Sequence, residues 1–315
     1  MADSLINGNF KGKDILSIDQ FSSNDIQKVF SVADEMKKIF ESKKPSDLLS
    51  GHIIAAIFYE PSTRTFSSFT AAAKRLGAVT IEHQNPSQNS SAAKGETLED
   101  TMKVLEAYAD AIILRHPEAG SALRAANSVS IPVLNAGDGP NQHPSQTLLD
   151  LYTIQNILGR LENLKIAFVG DPLHYRVFHG QIKALSSYKN NKFFGISPKG
   201  LEMPSEYRNE NYEDRVIDMK DLNKTLEDIQ PDIISLGRIP KEYIKGDSTK
   251  YHFVVNKETL KVIPEKSIIL HPLPRIDEVE TEVDSDPRAV YFSHQIRNGL
   301  YVRMAFLALV LGKIK

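Results

Sequence analysis

The chain has 315 residues, a length that favours two cores over one. A net charge of −2 offers no electrostatic reason to expect nucleic-acid or membrane binding. With 41% hydrophobic and 25% charged residues and no cysteine, the composition is globular and excludes disulfides, thiol catalysis and Cys-ligated zinc.

The opening MADSLINGNFKGKD is polar and lacks the apolar core of a signal peptide, and no apolar run is long enough to span a bilayer. A cytoplasmic location is expected, which makes Asn89-Ser90-Ser91 a chance sequon. A helical pattern covers Asp25–Phe40, and Ile53–Phe58 reads as a buried strand ending at Glu60-Pro61. Ser62-Thr63-Arg64-Thr65 then falls where the next helix starts, with Phe66, Phe69, Ala73 and Leu76 on one stripe. A helix N-terminus offers free backbone N–H groups and a positive dipole end. Three hydroxyls and a guanidinium placed there predict a grip on a phosphate-like group without a Walker-type loop.

The small-residue loop Ser90–Thr97 carries a single cation, Lys94, and reads either as a solvated loop or as a lid that brings Lys94 to an anion. A helix over Leu98–Ala109 leads to a strand at Ala111–Leu114, closed by Arg115-His116. Arg115 is either a surface residue or a second anion partner. After the strand Pro132–Leu134 comes a Gly-Asp-Gly turn and Asn141–Thr147, with Pro144 suited to the first position of a helix over Pro144–Leu158. His143 and Gln146 converge near that helix start. They suit a capping loop equally with a site in which His donates to a carbonyl oxygen and Gln holds an amide or amine.

Strands are predicted next at Lys165–Val169, Lys192–Ile196, Asp232–Leu236 and Ser267–Leu270. Gly170–Arg176 lacks the G-x-G-x-x-G spacing of a dinucleotide turn. Arg176 and Arg238 follow different strands, and two guanidiniums beyond one sheet edge suit a dicarboxylate. The last helix, Gln295–Leu311, has an apolar face that would pack on either half. The whole reads as α/β: two domains, each a mainly parallel sheet flanked by helices, joined by interdomain helices. The first half runs to about Gln142, and the second begins with the strand Lys165–Val169 and ends near Phe292. Six strand ends carry polar clusters, and ligands of open α/β sheets bind beyond that edge, so the clusters together point to one anion-rich site. No metal-ligand spacing and no G-x-S-x-G elbow occurs, and no cofactor is expected. Group transfer from a phosphorylated donor is the expected chemistry.

FYEPSTRTFSSFTAAAKRLGA, KGETLEDT, RHPEAG, NAGDGPNQHPSQTLLDLYTI and HPLPRIDEV together resemble, in order and spacing, the aspartate/ornithine transcarbamylase family. Gln146–Asp150 and HPLPR are similar to its aspartate branch. The resemblance implies that residues 1–143 with 295–315 bind carbamoyl phosphate and residues 144–294 bind aspartate. It implies that Ser62, Thr63, Arg64 and Thr65 bind the phosphate, and that Arg64, Thr65, Arg115 and His143 polarise the carbonyl. Gln146 and the carbonyls of Pro272 and Leu273 would hold the carbamoyl amine. Arg176 and Arg238 would bind the aspartate carboxylates. Ser90 and Lys94 would come from a neighbouring subunit of a homotrimer with shared active sites, Lys94 also reaching aspartate. Glu60 and Arg176 would support domain closure. Separate regulatory chains are compatible with the resemblance. An inactive anion-binding scaffold and a transcarbamylase with another acceptor are the competing readings.

Three positions depart from the family's pattern. Pro240 replaces the Gln of R-x-Q, Tyr243 stands where an Arg helps closure, and Tyr175 replaces a small residue beside Arg176. All three bear on the acceptor, so weaker closure and lower aspartate affinity are expected.

Overall fold

The computed structural model describes residues 5–86, 94–239 and 251–314. The chain forms two compact units, one of Met1–Tyr152 with Asn298–Lys315 and one of Thr153–Arg297. The divisions fall inside the helices Pro144–Leu158 and Ile296–Val310, so two helices run from one unit to the other. The Asn298–Lys315 segment belongs to the first unit.

The first unit is a parallel sheet of β1 (Ile53–Phe58), β2 (Val79–Gln84), β3 (Ala111–His116) and β4 (Val133–Asp138), in the order β2-β1-β3-β4. Its helices are α1 (Ser23–Ser42), α2 (Thr63–Arg75), α3 (Leu98–Glu106), α4 (Ser121–Ser128), the start of α5 (Pro144–Leu158) and most of α9 (Ile296–Val310). The strand β1 is an apolar run because both its faces are covered, as parallel sheets require. Ala55, Ile57, Ile112, Leu114 and Val133 pack with Met102 and Leu105 of α3 and Ala122 and Ala125 of α4. The free edge of β4 is shielded by the N-terminal segment, where Ile15 bridges Leu134 and the Asp14 carboxylate accepts the Val133 N–H at 2.8 Å.

The second unit is also all parallel, β7-β6-β5-β8-β9, from β5 (Lys165–Val169), β6 (Lys192–Ser197), β7 (Tyr212–Val216), β8 (Ile233–Leu236) and β9 (Ile268–Leu270). Its helices include α6 (Arg176–Leu185), α7 (Leu222–Ile229) and α8 (Lys257–Val262). Ala167, Val169, Ile234, Leu236 and Ile269 form its core with Leu226, Val255 and Tyr291.

The expected class is therefore the observed one, with two strands the sequence reading passed over. Both are edge strands, and their side chains are mostly exposed or half-buried. VTIEHQ and YEDRV carry the polar residues that an edge tolerates and a buried strand does not. The strands after Leu114 and Leu134 also run further than predicted, to His116 and Asp138, because polar residues at their ends still pair.

Chain order reverses between β1 and β3 in the first sheet and between β5 and β8 in the second, and ligand crevices open at such points. In the second unit the reversal is held very close. Gly170, at φ 124°, would place a Cβ 1.7 Å from the Gly237 carbonyl oxygen, so glycine alone fits where β5 and β8 end.

Candidate active site

In the first unit the β1 strand ends at Phe58, paired with Arg115 of β3. Ser62 precedes α2 and makes no side-chain capping bond, and the first turn carries no acidic residue. The leading amides of α2 are therefore not taken up by their N-cap, and Thr63 and Arg64 stand exposed beside them. Thr65 is buried, and its hydroxyl lies 3.5 Å from Nε2 of His143. The turn at Ser62–Thr65 and the histidine loop are thus brought together by the fold.

Arg115 is held from two sides. It contacts Glu60 at 3.3 Å and donates from Nη1 to the Ala136 carbonyl at 3.2 Å. Its Nε is buried with no partner among the described residues, a donor left over once the arginine has been fixed. Burial lowers its pKa, with the Glu60 charge acting the other way, and it remains a cation. Glu60 thus pairs with Arg115 of its own unit.

The loop leading to His143 is built on Asp138. Its carboxylate accepts from the Asn135 and Asn141 amides and from the backbone of Gly120 and Gln142, all within 3.0 Å. Gln146 lies in the first turn of α5, and its Nε2 donates to Oδ1 of the fully buried Asp150 at 2.9 Å. A carboxylate only accepts, so the Gln146 amide nitrogen must face Asp150 and its Oε1 must face away. That leaves an acceptor suited to an N–H donor.

In the second unit Arg176 is the first residue of α6 and is half-buried, while Arg238 is exposed just past β8. The residues before the two arginines pack together: a Cβ on Gly237 would lie 2.7 Å from Cδ1 of Tyr175. The Tyr175 ring also packs on Phe178, with centroids 4.9 Å apart. Asp171 organises the turn before α6 by accepting from the backbone N–H of His174 at 3.1 Å and from its Nδ1 at 3.0 Å. Burial raises the Asp171 pKa, and the His174 bonds oppose the rise.

Pro272 and Leu273 follow β9. The Leu273 N–H donates to Nδ1 of His271 at 2.8 Å, so the ring proton is on Nε2, which donates to Glu278 at 2.7 Å. Glu278 also accepts from the backbone of Ile276 and Asp277. Burial acts to raise its pKa, but the His271 and Ile276 hydrogen bonds outweigh it and hold the carboxyl at about 2. Arg275 of the same loop is occupied by Asp284.

Lys94 is exposed, before α3. Ser90, Pro240 and Tyr243 lie outside the described residues. Among those described, no group of three His, Cys, Asp or Glu residues could hold a metal ion, and no helix is long and apolar enough to cross a membrane. The sequence reading assigned no individual role to Asp138, Ser145, Asp150, His271, Glu278 or Arg303, although Asp138 and His271 stand in its polar strand-end clusters. Only the i, i+4 spacing of Gln146 and Asp150 on one helix could have been read in advance.

Residues 13–156 match the profile of the aspartate/ornithine carbamoyltransferase carbamoyl-P binding domain, and residues 162–310 match the Asp/Orn binding domain. The chain belongs to the aspartate/ornithine carbamoyltransferase family. A curated relative, the aspartate carbamoyltransferase catalytic subunit of Clostridium novyi, is 44% identical over 96% of this chain and 99% of its own length. The chloroplastic aspartate carbamoyltransferase 1 of Pisum sativum is 41% identical over 96% of this chain and 79% of its own. Aspartate transcarbamoylase from Trypanosoma cruzi, solved with carbamoyl phosphate and aspartate, is 34% identical with a TM-score of 0.87, each chain 96% covered. The named relatives all belong to the aspartate side of the carbamoyltransferase family.

Proposed function

We propose that this chain transfers the carbamoyl group of carbamoyl phosphate to the amine of L-aspartate, giving N-carbamoyl-L-aspartate and phosphate, a step of pyrimidine synthesis. The observation that carries the reading is the α2 N-terminus, uncapped by Ser62 and bearing Arg64, with Thr65 against His143. Ser62, Thr63, Arg64 and Thr65 take the phosphate. Arg64, Thr65, Arg115 and His143 polarise the carbonyl. Gln146 Oε1 and the Pro272 and Leu273 carbonyls accept from the carbamoyl amine. Arg176 and Arg238 take the two carboxylates, and Lys94 and Ser90 come from the neighbouring subunit of a homotrimer. Glu60 and Arg176 serve domain closure. The full residue assignment rests on the family resemblance.

The neutral aspartate amine attacks the carbonyl carbon and forms the C–N bond. The tetrahedral oxyanion is stabilised by the cations and His143. The C–O bond to phosphate then breaks, and the departing phosphate takes the proton released by the amine. No covalent enzyme intermediate is needed. Much of the work is holding two mutually repelling anions in register, and orientation supplies at most about 7–11 kcal/mol. Phosphate release from carbamoyl phosphate, measured with aspartate and ornithine in parallel, tests the reading. Release with aspartate alone is expected, from a species sedimenting as a trimer. Binding of carbamoyl phosphate with release on neither acceptor would overturn it.

Tyr175 favours attention to the acceptor. Its ring packs against Gly237, the residue before Arg238, and Tyr175 itself directly precedes Arg176. Tyr175→Gly is expected to raise the glutamate-to-aspartate ratio of kcat/KM by about tenfold, the scale of small pocket changes, with the KM for carbamoyl phosphate held within about twofold. An unchanged ratio would remove Tyr175 from the acceptor pocket. Weaker closure and lower aspartate affinity, attributed to Pro240 and Tyr243, belong to the same proposal.

A further inference from the structure

We infer that Ser145 and Arg303 set the tautomer and orientation of His143, leaving its ring proton on Nε2 as the donor that faces the phosphate-binding turn. Arg303 sits in α9 and is 4% exposed. Its guanidinium lies over the Phe69 ring, 5.1 Å from the centroid. One turn earlier on α9, a Cβ at Gly299 would come within 2.7 Å of Nη1, so the glycine makes room for the group. Nη2 lies 3.4 Å from the Ser145 hydroxyl, which is itself 1% exposed. The same hydroxyl lies 3.4 Å from Nδ1 of His143.

The direction of each bond follows from the groups involved. A guanidinium only donates, so Ser145 accepts from Arg303. The hydroxyl has one proton, and the second neighbour within reach is Nδ1. A nitrogen that accepts carries no proton, so a neutral ring carries it on Nε2. That nitrogen is the one 3.5 Å from the Thr65 hydroxyl, beside Arg64. Burial pulls the Arg303 pKa down to about 9, opposed by the Asp150 charge, so the residue is still cationic at neutral pH. A buried cation behind Ser145 also disfavours a charged imidazolium at His143. These distances are long for hydrogen bonds, as catalytic contacts in unliganded sites commonly are before substrate tightens them. Arg303 and Ser145 are positioning residues: they act on the donor and do not touch the substrate.

The inference rests on the proposed carbamoyl transfer for its consequence, and its first readout is independent of turnover. In the full chain labelled with 15N in its histidine rings, with the signal assigned through His143→Asn, Nδ1 is expected to resonate as an unprotonated, hydrogen-bonded nitrogen and Nε2 as a protonated one. In Ser145→Ala the Nδ1 signal moves, and kcat with carbamoyl phosphate and aspartate falls about tenfold, part of the worth of one oxyanion donor. Ser145→Thr keeps the hydroxyl and restores both. Arg303→Met moves the same signal. Should that variant not fold, the Ala/Thr pair at Ser145 decides the matter. A protonated Nδ1 in the wild type, or a Nδ1 signal unmoved in Ser145→Ala, would overturn the inference while leaving carbamoyl transfer standing. Absence of transfer with the expected ring signals would instead sink the proposed function alone.

Discussion

Arg64→Ala is expected to lower the rate of carbamoyl transfer by about a thousandfold, the upper range for removal of one preorganised donor to a developing oxyanion. The fold should persist, because Arg64 is exposed in the first turn of α2. Loss of the side chain also removes a phosphate cation from a helix end where backbone amides and hydroxyls remain. Carbamoyl phosphate therefore still binds, more weakly, while kcat carries most of the deficit. Arg64→Lys keeps the charge and loses the planar fork, and should recover only part of the rate. Steady-state kinetics with both substrates varied, with circular dichroism to confirm the fold, check this. Activity within tenfold of the wild type would shift the carbonyl-polarising role to Arg115.

Glu278→Ala should cost about 1.5–3 kcal/mol of folding stability, the range for losing a buried hydrogen bond to a charged group and leaving its donors unsatisfied. His271 is left buried with its Nε2–H unanswered, and the Ile276 and Asp277 amides lose their acceptor. Urea unfolding reads the loss, and a drop below about 1 kcal/mol would show that the loop after β9 is held by other contacts. The pH dependence has a definite sign. The carboxyl is held at about 2 in the folded protein, below its ordinary 4.5, so its contribution is complete above 4.5. It is lost as pH falls from 4.5 toward 2. Glu278→Gln should flatten that acid limb. It should also cost less than the alanine variant, because an amide oxygen can still accept from the His271 ring.

The two largest effects come from residues of different visibility. Arg64 stands in a run whose chemistry is readable from residue types: hydroxyls and a guanidinium at a strand-to-helix junction bind anions wherever that junction sits. The buried strands are readable for a similar reason. Ile53–Phe58 and Lys165–Val169 are apolar without alternation because both faces of a parallel strand are covered, a local signature of a global fact. The edge strands Val79–Gln84 and Tyr212–Val216 lack that signature. The short helix Ser121–Ser128 also escaped, since four alanines and serines in its first turns leave little apolar stripe to read.

The sequence by itself determined the class, two α/β units with polar strand ends, and supplied the residues proposed to meet an anion. Each of those features is written in a contiguous segment of ten residues or so. Tertiary structure alone decided how the donors are aimed. Arg303 reaches Ser145 across 158 positions of chain, and Thr65 reaches His143 across 78. Glu278 fixes His271 only because the loop after β9 turns back on itself. A serine, an aspartate or an arginine in such a place looks like any other in the sequence. Its role arises when folding removes water and leaves one partner within reach, because a buried polar group must then be satisfied by whatever the fold has brought beside it.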